Sequence, residues 1–167
     1  EKVCRLQEIL RFFSSSELLS SSLALKGGTA INLLFFNMPR LSVDIDLDYC
    51  VNLSRDEMLV QRNKIGEQIS KYMTSQEYSI NPNSKTPHSL DSFVYDYINS
   101  AGIKDNIKIE INYSLRAHVL PIRQMTFAAD SFAADFQATT LSPMEIYATK
   151  TVALLTRAAA RDLYDMN

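Results

Sequence analysis

Two hydrophobic periods run along this chain, one near 3.6 residues and one of 2, and the switches between them mark its elements. Between residues 2 and 13, Val3, Leu6, Leu10 and Phe13 recur at helical spacing with Lys2, Arg5 and Glu8 between them, which predicts a packing helix. Serine clusters at 14–16 and 20–22 interrupt it, and Leu23-Ala24-Leu25 reads as a first strand running into Gly27-Gly28. After the glycines and Thr29 comes an apolar segment long enough for two turns of helix. Val43-Asp44-Ile45-Asp46-Leu47-Asp48-Tyr49 then alternates without a miss. That is the pattern of a strand, with Val43, Ile45, Leu47 and Tyr49 on one face and three aspartates on the other.

The helical period returns over 54–74, where Ser54-Arg55-Asp56-Glu57 forms a capping box ahead of Met58, Ile65, Ile69 and Tyr72. Residues 81–91, with Pro82, Pro87 and several Asn and Ser, predict a loop. Two alternating stretches follow, Phe93/Tyr95/Tyr97 and Ile107/Ile109/Ile111/Tyr113, joined by a turn holding Gly102 and Asp105-Asn106. They predict a hairpin in which Lys108, Glu110 and Asn112 face away from the isoleucines. Strand-like pieces recur at VLPIR and DFQATTL within 119–141, and Ser142-Pro143-Met144-Glu145 opens a last helix with a capping box and Pro at its first position. The expected fold is α/β (α+β), a mixed sheet with carboxylates at one end, packed by the 54–74 and 142–157 helices.

Composition bounds this picture without changing it. The 167 residues are 46% hydrophobic and 22% charged, ordinary for one globular domain, and the formal net charge of −2 argues neither way about acidic partners, so that nucleic-acid binding would have to come from a local patch. No stretch approaches the ~18 apolar residues of a membrane span, no signal-peptide plan opens the chain, and the expected location is the cytoplasm. Cys4 and Cys50 have no second ligand nearby, so neither a disulfide framework nor a zinc site is indicated. His88 and His118 lack partners at metal or triad spacing and read as structural. Both ends look cut: the chain opens without Met and stops inside a helical pattern, so the expectation is one domain over 1–167 with its C-terminal end truncated.

The chemistry concentrates at residues 23–49. Carboxylates at i and i+2 of a strand stand about 6.6 Å apart and repel by roughly 2.5 kcal/mol per pair at an effective dielectric near 20. A divalent cation answers such a row, and an all-oxygen donor set suits Mg²⁺ or Mn²⁺ completed by substrate phosphates. The alternative for any D-x-D is a strand face screened by water. Against it stands the glycine turn just upstream, whose backbone N–H groups are oriented donors for phosphate. Further along, Glu110 sits on the polar face of its strand, and a helix continued straight from 142 brings Lys150, Arg157 and Arg161 within about 20° of one stripe. Either feature also fits a plain solvated surface.

The string LKGGTAINLL followed by Arg40-x-Ser42-x-Asp44-Ile45-Asp46-Leu47 resembles the signature of the nucleotidyltransferase superfamily with the DNA polymerase β-like fold. It is most similar to the AbiEii/AbiGii-type toxins of abortive-infection and type IV toxin–antitoxin systems. IKIEINY at 107–113 and EIYATKTVALLTRAAARDLYDM at 145–166 resemble the toxins' later motifs. One departure is visible: 15 residues (29–43) separate Gly28 from Asp44, more than in the commoner members.

The resemblance implies transfer of a nucleoside monophosphate from an NTP to an acceptor hydroxyl, with RNA, notably tRNA, as acceptor and an antitoxin as partner. It implies Mg²⁺ or Mn²⁺ held by Asp44, Asp46 and Glu110, or Glu110 as base for the incoming hydroxyl. Lys26, Gly27, Gly28, Thr29, Arg40, Ser42 and Lys150 would bind the nucleotide. Asp162 would complete the catalytic set, with Asp165 the other choice, and a break near 158–160 would be needed to bring Asp162 round to Lys150. Open alternatives are a transferase acting on a small molecule or on protein hydroxyls, and a non-catalytic module of the same fold that binds nucleotide or a partner.

Overall fold

The computed structural model describes residues 1–35, 42–127 and 136–157. Helix α1 (Lys2–Ser15) and the short α2 (Glu17–Ser22) lead into β1 (Leu23–Lys26). One turn of helix, α3 (Gly27–Ala30), passes directly into a π-helical turn, Ile31–Phe35. Then come β2 (Ile45–Tyr49), α4 (Arg55–Ser75), β3 (Ser79–Ile80), β4 (Leu90–Ile98), β5 (Lys104–Asn112), β6 (Arg123–Met125), β7 (Ala138–Thr140) and α5 (Pro143–Arg157). The strands form one seven-stranded mixed sheet in the order β3-β4-β5-β2-β1-β7-β6.

Period-2 alternation decides what each sheet face carries. β2 pairs antiparallel with β1, Leu25 opposite Leu47, and parallel with β5, Ile45 beside Ile109. Leu23, Leu25, Ile45, Leu47, Tyr49, Ile107, Ile109 and Ile111 are thereby gathered on one face, and all are buried. At roughly 1.5–3 kcal/mol for each large aliphatic side chain removed from water, this face is the main source of stability.

Helices α1 and α4 cover that face. The buried stripe of α1 is Leu6, Ile9, Leu10 and Phe13, and that of α4 is Met58, Ile65, Ile69 and Met73. They meet where Phe12 stacks on Tyr72, ring centroids 3.8 Å apart, and where Gln68 donates to Ser16 Oγ at 2.8 Å. The α4 start is the predicted capping box: Ser54 Oγ accepts from the Glu57 N–H, and the Glu57 carboxylate accepts from the Ser54 N–H.

Three local expectations are corrected. The strand begins at Ile45, so Val43 and Asp44 precede it unpaired. Asp105 and Asn106 lie within β5, opposite Tyr97 and Asp96, and the turn is made by 99–103 with Gly102 at φ +75°. Asp105 tolerates a strand position because Lys2 and Tyr97 both donate to its carboxylate, at 3.0 Å each. Finally, the loop ends earlier than residue 91, because Leu90 and Asp91 already pair in β4 with Asn112 and Ile111.

Candidate active site

The sheet face turned away from α1 and α4 carries the polar partners of the same alternation. Across four strands the register aligns Lys26, Asp46, Glu110 and Ser92 in one row, and Ala24, Asp48, Asn112 and Leu90 in the next. Asp46 on β2 and Glu110 on β5 are thus direct neighbours, an adjacency produced by parallel pairing of segments distant in sequence. A cavity of about 610 Å³ opens over this face. Lys26, Gly27, Gly28, Ser42, Asp44, Asp46, Glu110 and Lys150 all line it.

The aspartates divide unequally. Asp44 is exposed at the cavity rim and Asp46 is half-buried. Asp48 is 2% exposed and paired with the Lys26 ammonium, with Asn112 Nδ2 donating to the same oxygen at 3.1 Å. A row of three carboxylates at the cavity is therefore corrected to two, because Asp48 is neutralised within the protein. Burial, then the Glu110 and Asp44 charges, push the Asp46 carboxyl up to about 6, against the opposing pull of Lys26 and Lys108.

The glycine turn is shaped around Asp46. Gly27 has φ +74°, and a Cβ built there would fall 2.4 Å from Asp46 Oδ2. Any other residue would be strained in its backbone and would collide with the carboxylate. The turn is closed behind by Asn32, whose side-chain amide donates to the Gly28 carbonyl at 2.6 Å. Thr29 is fully buried; its hydroxyl donates to the Asp44 main-chain carbonyl and lies 3.2 Å from Ser42 Oγ.

Glu110 faces inward but is turned onto protein groups: Lys108 Nζ is 2.8 Å from its Oε1, and Ser92 Oγ donates to the same atom at 3.1 Å. Among the described residues, no three His, Cys, Asp or Glu side chains come together as a metal-ligand group. The donor set nonetheless fits a hard cation, since Asp44, Asp46 and Glu110 offer only oxygens and Asp46 is raised by burial and then by the negative charge around it. Lys150 reaches the cavity from α5, beside Thr149. Arg40, Arg161, Asp162 and Asp165, and the Arg157 side chain, lie outside the described residues.

Lys108, Asn112 and Thr149 line the cavity as well, beyond the residues the sequence pattern assigns to it. The signal for the first two was present, because they share the alternation that turns Glu110 from the isoleucines. The histidines stay away from it: the His88 carbonyl accepts from Arg62 Nη1 at 2.8 Å, and His118 Nδ1 lies 3.7 Å from Glu145. Both cysteines are free. No helix of the described residues is long and apolar enough to cross a membrane.

A glycine turn pressed on an Asp-x-Asp strand, within a mixed sheet packed by helices, is the arrangement of a nucleotidyltransferase fold. The model of the AbiEii nucleotidyl transferase toxin family, type IV toxin–antitoxin system, matches residues 10–167, and the chain belongs to that family. Two solved structures share the fold. One is MenT4, a nucleotidyltransferase toxin from Mycobacterium tuberculosis H37Rv, with TM-score 0.66 and 17% identity over 98% of this chain. The other is JHP933 from Helicobacter pylori, with TM-score 0.61 and 18% identity over 99% of this chain. The chain spans 55% of the length of the first and 65% of the second. No curated protein matches it.

Proposed function

We propose that this chain carries the catalytic centre of a metal-dependent nucleotidyltransferase toxin that transfers a nucleoside monophosphate from an NTP to a hydroxyl of RNA, tRNA being the favoured acceptor. The observation that carries the reading is Asp46 set beside Glu110 across parallel strands, with the Gly27 backbone against its carboxylate and Lys26, Lys108 and Lys150 lining the same cavity. In the reaction the acceptor oxygen bonds to the α-phosphorus, the bond from that phosphorus to the bridging oxygen breaks, and pyrophosphate leaves.

Asp44, Asp46 and Glu110 would hold Mg²⁺ or Mn²⁺, which supplies neutralisation of the triphosphate and acidification of the acceptor hydroxyl. The protein's own groups do the rest. Backbone N–H groups of Gly27 and Gly28 donate to the terminal phosphates, and Gly27 permits the close approach. Lys150, with Arg40, balances the charge that builds on the departing pyrophosphate. Lys26 is tied to Asp48 and acts on the site as a fixed positive charge beside Asp46. Glu110, once released from Lys108, is placed to complete the metal site or to accept the acceptor's proton.

Membership of a type IV toxin–antitoxin family supports an antitoxin as partner and the cytoplasm as place of action. The test is incubation with each of the four α-labelled NTPs, Mg²⁺ and cellular RNA. Label in RNA that disappears with Asp46→Asn is the expected result. Label in protein or in a small molecule would move the acceptor to that class. An NTP-induced thermal shift without transfer of label would leave a nucleotide-binding module.

A further inference from the structure

We infer that Thr29 is a positioning residue, whose hydroxyl fixes where the Asp44 carboxylate stands by holding the Asp44 main-chain carbonyl. The inference rests on the metal–nucleotide reading of the cavity. Its starting point is an asymmetry between the two cavity aspartates. Asp46 is held by strand pairing on both sides, opposite Lys26 on β1 and beside Glu110 on β5. Asp44 comes before the strand, in a segment over 42–44 without regular structure and without a register partner among the described residues. Among the described residues, its main-chain carbonyl is held by the Thr29 hydroxyl.

A threonine hydroxyl has a single proton. Given to the Asp44 carbonyl, it is no longer available for a phosphate, and the 3.2 Å contact with Ser42 Oγ then has Ser42 as donor and Thr29 as acceptor. Thr29 is fully buried and its side chain does not line the cavity. The hydroxyl therefore acts through Asp44, while the backbone N–H of the same residue stays with the glycine turn. The β-branched side chain has few χ1 choices in a helical turn, so the link between the glycine turn and Asp44 is stiff. The phosphate-facing turn and the first carboxylate are thereby joined into one body.

The test is Mn²⁺ binding, followed by electron paramagnetic resonance in the presence of a non-hydrolysable NTP analogue. Wild type is compared with Thr29→Val, which keeps the shape without the hydroxyl, with Thr29→Ser, which keeps the hydroxyl, and with Asp46→Asn. Affinity of each for the analogue in EDTA is measured alongside. Thr29→Val is expected to weaken Mn²⁺ binding about tenfold, with analogue affinity in EDTA unchanged within about twofold and Thr29→Ser restored to wild type. Thr29→Ala carries the same expectation and decides the matter should the valine variant fail to fold. Wild-type Mn²⁺ affinity without the hydroxyl overturns the inference, as does an equal loss of analogue affinity in EDTA, which would put Thr29 on the nucleotide. Mn²⁺ binding that Asp46→Asn leaves untouched overturns the underlying reading of the site as well, and is told apart by that variant.

Discussion

Two carboxylates on this sheet, the buried Asp91 on β4 and the half-buried Asp46 on β2, have opposite surroundings. Asp91, on the face covered by α4, is 3% exposed and lies in the fork of Arg62, with Nη2 2.6 Å from Oδ1 and Nε 3.1 Å from the same atom. The rest of that guanidinium donates to the carbonyls of Pro87, His88 and Leu90, so charge and hydrogen bonds are all answered. Asp46, on the other face, has Glu110 and Asp44 for neighbours and is raised to about 6. The comparison separates a carboxylate fully answered within the protein from one answered only in part, which is what marks Asp46 as a candidate for function.

Exchanging the two roles is the sharpest way to break the comparison. Arg62→Ala should cost about 3–5 kcal/mol in urea denaturation, because it leaves a buried charge unpaired. Asp46→Asn should instead lower transfer at least 10³-fold, about 4 kcal/mol of barrier, with the urea midpoint kept or raised. A midpoint that falls as far as in Arg62→Ala would make Asp46 a structural residue and end the distinction.

A pair of glycines sharpens the same contrast through sterics alone. Gly27 and Gly102 have nearly the same φ, +74° and +75°, but only Gly27 has Asp46 in the space a Cβ would take. Gly102→Ala should cost about 1 kcal/mol from backbone strain, and Gly27→Ala about 2–4 kcal/mol as overpacking is added. Equal costs in chemical denaturation would mean that the turn moves freely away from the carboxylate.

The smallest effect belongs to the covered face at high pH. Burial and the bond to Asp105 push the Tyr97 phenol up to about 12 from its ordinary 10. A folded pKa above the unfolded one gives a contribution that is whole below pH 10 and lost as pH climbs from 10 to 12. Tyr97→Phe should therefore flatten the fall in urea midpoint across that window, while costing about 0.5–1 kcal/mol at pH 7 for the lost bond to Asp105. A fall as steep as in wild type would assign the alkaline loss to other groups, Tyr113 among them, whose phenol is also raised by burial.

Much of this was legible in the chain because the informative patterns are local. Alternation in 43–49 and 107–113 carries β2 and β5 and says which side chains share a face, and Ser54 with Glu57 announces α4 at close range. Register between distant strands has no local signature. That is why the adjacency of Asp46 and Glu110, the capture of Asp48 by Lys26 and Asn112, and the place of β1 between β2 and β7 emerge only in three dimensions. Asp105-Asn106 misled for the converse reason: its turn-forming composition is outweighed by cross-strand pairing and two donors to one carboxylate. For Thr29, the resemblance implies a nucleotide contact, whereas its hydroxyl is buried and bonded to the Asp44 carbonyl.

The parallel pairing of β2 with β5 also has a meaning in time. Glu110 follows its partner Asp46 by 64 positions, and the α5 lysine at 150 comes 40 later still. At the ~5–20 residues per second of protein synthesis, several seconds pass between the making of the first carboxylate and of the last of these groups. A nascent chain that already carries the glycine turn and both cavity aspartates still lacks half of its polar wall. On the ribosome, the polar wall of the cavity is therefore complete only after residue 150 has been made.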